Sequence, residues 1–169
     1  MLQVLYRLIN CVGGIAVREP IDLHNKDGRR PDLELILRSL HALLDVMIVN
    51  PLCPTHLIAS SKKTLASVRG GERIKTNKYK GTASQHQAKF IPFVIESTAG
   101  LSDSAVSLLK QILLASRDNS TLVTWEEVSK ECFWSVGIAI QKGNAMTMIA
   151  GRNKAIGMAA EVKQHKRVR

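Results

Sequence analysis

Leu2, Leu5, Leu8, Ile9 and Val12 recur at helical spacing and Gly13-Gly14 closes the run, so the chain should open with an α-helix. Ile15-Ala16-Val17-Arg18-Glu19 then reads as a short strand stopped by Pro20, and Asp22 to Arg30 is polar and turn-rich. Leu33 to Leu37 reads as a second strand. Ala42 to Val49 reads as a third, apolar on both faces and so expected at the centre of a sheet, with Pro51 and Pro54 breaking it. A helix is expected over 60–80, with Ser60 or Ser61 as cap and Leu65, Val68 and Ile74 among charges. Gly70-Gly71 weakens it by about 1 kcal/mol per glycine relative to alanine. Phe90 to Glu96 reads as a fourth strand in which Pro92 marks an edge or a bulge. Ser102 caps a helix with Ala105, Val106, Leu108, Leu109, Ile112 and Leu113 on one face. Thr124-Trp125-Glu126-Glu127 is a capping box opening a last helix with Val128, Cys132, Val136 and Ala139. Residues 161–169 read as a frayed basic tail.

The order is helix, three strands, helix, strand, helix, helix. The strand–helix–strand unit within it implies a mixed sheet, and the fold class is α/β. The expected division is an α/β core over 1–100, a helical extension over 101–151 and a basic tail over 152–169. A length of 169 residues suits one domain with such an extension. No apolar run approaches the roughly 18 residues of a membrane span, because Arg7 and Asn10 interrupt the N-terminal one. The N-terminus lacks a signal-peptide pattern and the three cysteines are too few for a disulfide framework. A nuclear or cytoplasmic protein is expected.

Charge sharpens the picture. The net +10 is concentrated: residues 62–90 carry eight cations against Glu72 alone, and residues 152–169 carry a further +5. Two basic blocks in an otherwise balanced chain are the pattern of a phosphate-backbone footprint, with a plain solvated surface as the alternative. Lys62, Lys63, Arg69, Arg73 and Lys75 are the candidate nucleic-acid contacts. Cys53-Pro54-Thr55-His56 has the gap of half a zinc site, but no matching second pair exists. Among the aromatics of the last helices, Trp125, Phe133 and Trp134, helical spacing favours core positions, and Trp134 alone lies on a different face.

Asp45 sits inside Leu43-Leu44-Asp45-Val46-Met47-Ile48-Val49, where an unpaired carboxylate costs several kcal/mol. An arginine such as Arg38 or Arg30, backbone donors or a metal ion must compensate it. Asp32 begins the neighbouring strand, and if the two strands form a hairpin both carboxylates reach one end of the sheet. Two such groups suit Mg²⁺, which takes oxygen ligands and keeps several waters.

Arg30-Pro31-Asp32-Leu33, then Asp45-Val46, then Lys75 and Lys78-Tyr79 resembles the PD-(D/E)XK nuclease core. More narrowly it resembles the restriction-like endonuclease region C-terminal to reverse transcriptase in some non-LTR retrotransposons. Similarity to reverse-transcriptase-like proteins continues over Pro92–Gly100 and Ala139–Ala145, so the resemblance spans about residues 19–151. It implies a restriction-endonuclease-like mixed sheet of about four strands flanked by helices, acting as a metal-dependent DNA endonuclease. Asp32 and Asp45 would hold Mg²⁺ (or Mn²⁺), with DNA as substrate and element RNA as a further partner. The motif's lysine usually lies two residues after the second acid, where Met47 stands. Lys78, or with lower rank Lys75, is expected to supply the ammonium from the following helix. Glu96 and Glu19 are candidate outer ligands or bases, and Glu34 ranks lower. The 169 residues hold neither a polymerase domain nor zinc-knuckle cysteines. That sets up two expectations: a truncated or inactive nuclease, or a non-catalytic basic nucleic-acid-binding remnant.

Overall fold

The computed structural model describes residues 1–21, 30–118 and 125–167. The turn-rich stretch before Arg30 and Thr124 of the capping box lie outside the described residues. The elements are α1 (Leu2–Cys11), β1 (Ile15–Arg18), β2 (Leu33–Leu37), β3 (Leu40–Val49), α2 (Pro54–Lys62), α3 (Ala66–Gln85), β4 (Lys89–Glu96), α4 (Asp103–Asp118) and α5 (Trp125–Arg167).

The four strands form one mixed sheet in the order β1-β2-β3-β4. β1, β2 and β3 run antiparallel in sequence, whereas β4 lies parallel to β3 after the α2–α3 crossover. The apolar third strand is therefore central, as its two-faced pattern requires. Pro92 lies in an edge strand. Val94 and Glu96 use their outward groups on the chain at 100–102, with Ser102 N–H donating to Val94 C=O and Glu96 N–H to Gly100 C=O. By alternation Pro92 also faces outward, so its missing N–H is on the unpaired side and costs the ladder nothing.

Alternation also assigns the faces. Leu33, Leu35, Leu37, Ala42, Leu44, Ile91, Phe93 and Ile95 point to one side and form a single cluster with Leu5, Leu8 and Ile9 of α1. Ala105, Leu108, Leu109 and Ile112 of α4, and Val136 and Ile140 of α5, belong to that cluster too. The helices after residue 100 thus close the core of the sheet. Leu43, Asp45, Met47 and Val49 of β3 point to the other side, where α3 packs.

The helix expected at 60–80 is two helices. Pro54 starts α2 at a position where a missing N–H is harmless, and Leu65 in the left-handed region (φ 57) separates it from α3. Gly70-Gly71 does not break α3, and Gly71 has a positive reason to be glycine. A Cβ there would lie 2.9 Å from Val94 Cγ1 and 3.3 Å from Met47 Sδ. The missing side chain is what lets α3 approach β3 and β4.

Beyond the core, α5 continues as one helix to Arg167, which corrects the expectation of a frayed tail from residue 161. Phe133 and Trp134 are both exposed, so Phe133 is not the core residue that its spacing suggests. Among the described residues no helix is long and apolar enough to cross a membrane.

Candidate metal and phosphate site

β2 and β3 are joined by the two residues Arg38 and Ser39, with Arg38 at φ 54. This tight hairpin fixes the register, whose last pair is Leu33 opposite Leu44. One step further, Asp32 faces Asp45. The β1–β2 ladder, carried on from Arg18 opposite Leu33, brings Glu19 beside Asp32, and Glu19 N–H donates to Asp32 C=O at 3.0 Å. The carboxylates expected to share one end of the sheet thus stand opposite each other on adjacent strands. Directly opposed side chains have Cβ atoms about 5 Å apart, and like charges so placed repel.

Three contacts hold this arrangement. Val46 N–H donates to Asp32 Oδ2 at 2.7 Å. Lys75 Nζ lies 2.5 Å from Asp45 Oδ2, with the Asp45 side chain 4% exposed and that of Lys75 20%. Apart from this ion pair, Asp45 Oδ2 receives no hydrogen bond from the described residues. Tyr79, wholly buried one turn beyond Lys75, donates its hydroxyl to Arg30 C=O at 2.9 Å and so ties α3 to the segment that delivers Asp32.

The charge balance leaves a mark on Asp32. Burial pushes its pKa above the ordinary carboxylate value and the Asp45 charge adds to this, while the Val46 amide, Lys75 and Lys78 pull it down. Two acids, two ammonium groups and one amide therefore act on one small volume. It lies between two apolar patches on the α3 face, Leu43 with Ala83 on one side and Val49, Val68 and Val94 on the other.

The structure brings Lys75, rather than Lys78, into contact with Asp45. The buried stripe of α3 runs Val68, Gly71, Tyr79, Thr82, and the half-buried Lys75 lies along it between Gly71 and Tyr79. Lys78 lies to the side, its Nζ 4.4 Å from the Tyr79 ring centroid. Met47, in the place of the usual motif lysine, packs under Gly71.

The other candidate acids are elsewhere. Glu96 pairs in register with Val49, four residues past Asp45, or about 13 Å along the strand. It is buried and accepts from Ser67 Oγ at 2.7 Å and Thr98 Oγ1 at 3.0 Å, which makes it a clamp on the turn after β4. Glu19 and Glu96 do not end adjacent strands, since β1 and β4 are opposite edges. Glu19 is exposed and within 3.9 Å of Arg30, and Glu34 contacts His41 at 2.8 Å. Among the described residues no three metal-ligating side chains converge. The Asp32–Asp45 pair is a two-carboxylate set, which suits a hydrated Mg²⁺ and not a closed zinc site.

Lys62, Lys63, Arg69 and Arg73 are exposed, as is Lys80. Arg69, Arg73 and Lys80 fall within about 40° of one another around α3, on its outer face. Sequence reasoning missed Tyr79 as a support for Asp32 and the Val46 amide as its anchor; neither has a composition signal. No protein-family model matches this chain, and no curated protein matches it.

Proposed function

We propose that this chain is a metal-dependent DNA endonuclease domain of the restriction-endonuclease-like kind, with Asp32 and Asp45 as metal ligands and Lys75 as the ammonium beside them. One observation carries the reading: two acids on β2 and β3 face each other across a hairpin, with one directly paired to a lysine from α3. For stability alone such a pair is poorly chosen, because opposed carboxylates repel and burial raises the cost. The mixed four-stranded sheet with helices on both faces supports the same reading, and the resemblance over residues 19–151 extends it to a retroelement-derived chain.

Asp32 and Asp45 would hold a divalent ion, which when bound would supply Lewis-acid polarisation of a phosphoryl oxygen and an acidified water. Asp32 would hold the ion with the carboxylate that the Val46 amide fixes in place. Lys75, and Lys78 from one turn on, stabilise negative charge building on the phosphate. Arg69, Arg73, Lys62 and Lys63 hold the flanking backbone without reading sequence.

The test is nicking of supercoiled plasmid in Mg²⁺ or Mn²⁺ by wild type and by Asp45→Asn, each verified as folded by circular dichroism. Metal-dependent nicking lost in Asp45→Asn supports the assignment, and equal nicking by both proteins ends it. The exposed basic face of α3 favours a second reading, a non-catalytic nucleic-acid-binding module. Salt-sensitive DNA binding with no nicking by wild type would select that reading.

A further inference from the structure

We infer that Lys75 is a built-in counter-ion that occupies the cation position of the Asp32–Asp45 pair, so that a divalent ion must displace it in order to bind. The inference rests on the metal-site reading above and adds a mode of regulation to it. Its ground is the asymmetry of the site. Asp45 is 3% exposed, and apart from the Lys75 ammonium at 2.5 Å its Oδ2 receives no hydrogen bond from the described residues. Asp32, by contrast, already has one oxygen held by the Val46 amide. The ammonium therefore sits on the ligand that most needs a positive charge.

The fold makes this placement durable and also reversible. Lys75 is anchored by its backbone on the buried stripe of α3, between Gly71 and Tyr79, so the ammonium cannot drift far. Its side chain is 20% exposed, however, and four methylenes let the ammonium swing outward while the helix stays in place. Lys78 is poised beside it over the Tyr79 ring. When the ion binds, Lys75 leaves Asp45 but stays at the mouth, where a phosphate would arrive.

Two consequences follow from population arithmetic. Apparent metal affinity is lowered by the fraction of time Asp45 is free, so a lysine that holds it nine-tenths of the time weakens binding roughly tenfold. The metal-free protein also keeps its fold, since the ammonium balances the charge in the ion's absence.

The experiment compares wild type, Lys75→Gln and Asp32→Asn/Lys75→Gln for Mn²⁺ binding by electron paramagnetic resonance and for melting temperature with and without Mn²⁺. Wild type should bind weakly with little change in melting. Lys75→Gln should bind roughly tenfold tighter and gain a metal-dependent rise in melting temperature, and the double variant should lose both. A Lys75→Gln protein folded only in Mn²⁺ supports the inference equally. Binding by Lys75→Gln no tighter than wild type overturns it and leaves the metal site standing, as does a variant unfolded with and without the ion while wild type binds. If neither wild type nor Lys75→Gln takes up Mn²⁺, the metal-site reading itself fails and takes the counter-ion inference with it.

Discussion

Gly70 and Gly71 are neighbours on one helix, yet the structure assigns them opposite responses to the same substitution. A Cβ at Gly70 meets nothing within 4 Å, whereas one at Gly71 meets Val94 Cγ1 at 2.9 Å, Met47 Sδ at 3.3 Å and Val49 Cγ1 at 3.5 Å. Both alanines gain about 0.5–1 kcal/mol of helix propensity. At Gly71 that gain is set against overpacking of a β-branched side chain in the sheet, which costs about 1–3 kcal/mol. Gly70→Ala should therefore stabilise by up to about 1 kcal/mol, and Gly71→Ala should destabilise by about 0.5–2 kcal/mol. For a chain of this size the two melting temperatures should differ by several degrees, since about 1 kcal/mol moves the midpoint roughly 2–4 °C. Urea titration gives the free energies directly. Lys75 lies one turn beyond Gly71, so lifting the helix should also weaken the Lys75–Asp45 contact and any metal-dependent nicking. A Gly71→Ala protein as stable as Gly70→Ala would refute the close approach of α3 to β3 and β4.

Three further outcomes are expected. Asp32→Asn should raise the melting temperature at pH 7: the raised pKa means that ionising Asp32 costs folded-state stability as pH climbs from the ordinary value of 3.8 through the raised one. The advantage should vanish below pH 3.8, where wild-type Asp32 is protonated folded or unfolded, and an unchanged difference there would contradict the assignment. Lys75→Gln should cost about 2–4 kcal/mol in metal-free buffer, at the low end for a buried pair because Lys75 is partly exposed, and Asp45→Asn in the same chain should recover part of it; additive losses in the double-mutant cycle would deny the ion pair. Arg69→Gln and Arg73→Gln should each reduce the slope of log affinity for DNA against log salt by about 1, measured by fluorescence anisotropy, whereas slopes equal to wild type would remove α3's outer face from the interface.

The strands were legible because Leu33–Leu37 and Ala42–Val49 are dense in Leu, Ile and Val and are bounded by turn residues. Their register was not. Arg38-Ser39 carries no Asn-Gly or Asp-Gly signal, so nothing in the pattern says that the hairpin is two residues long and that Asp32 meets Asp45. Choosing between Lys75 and Lys78 needed the rotational phase of α3. That phase is written in Gly71, Lys75, Thr82 and Ala83, small or polar residues that a search for apolar periodicity passes over. Glu96 looked like a site acid because it ends a strand, and only the parallel register shows that it ends four residues too far along.

The most direct measurement is a crystal structure grown in Mn²⁺, with anomalous scattering used to locate the metal. The account predicts a peak between the two strands with one carboxylate oxygen from each of Asp32 and Asp45 at roughly 2.1–2.2 Å, as hard divalent ions require, and Lys75 withdrawn from Asp45. No peak at this place, with the Lys75–Asp45 pair intact at saturating Mn²⁺, would contradict it.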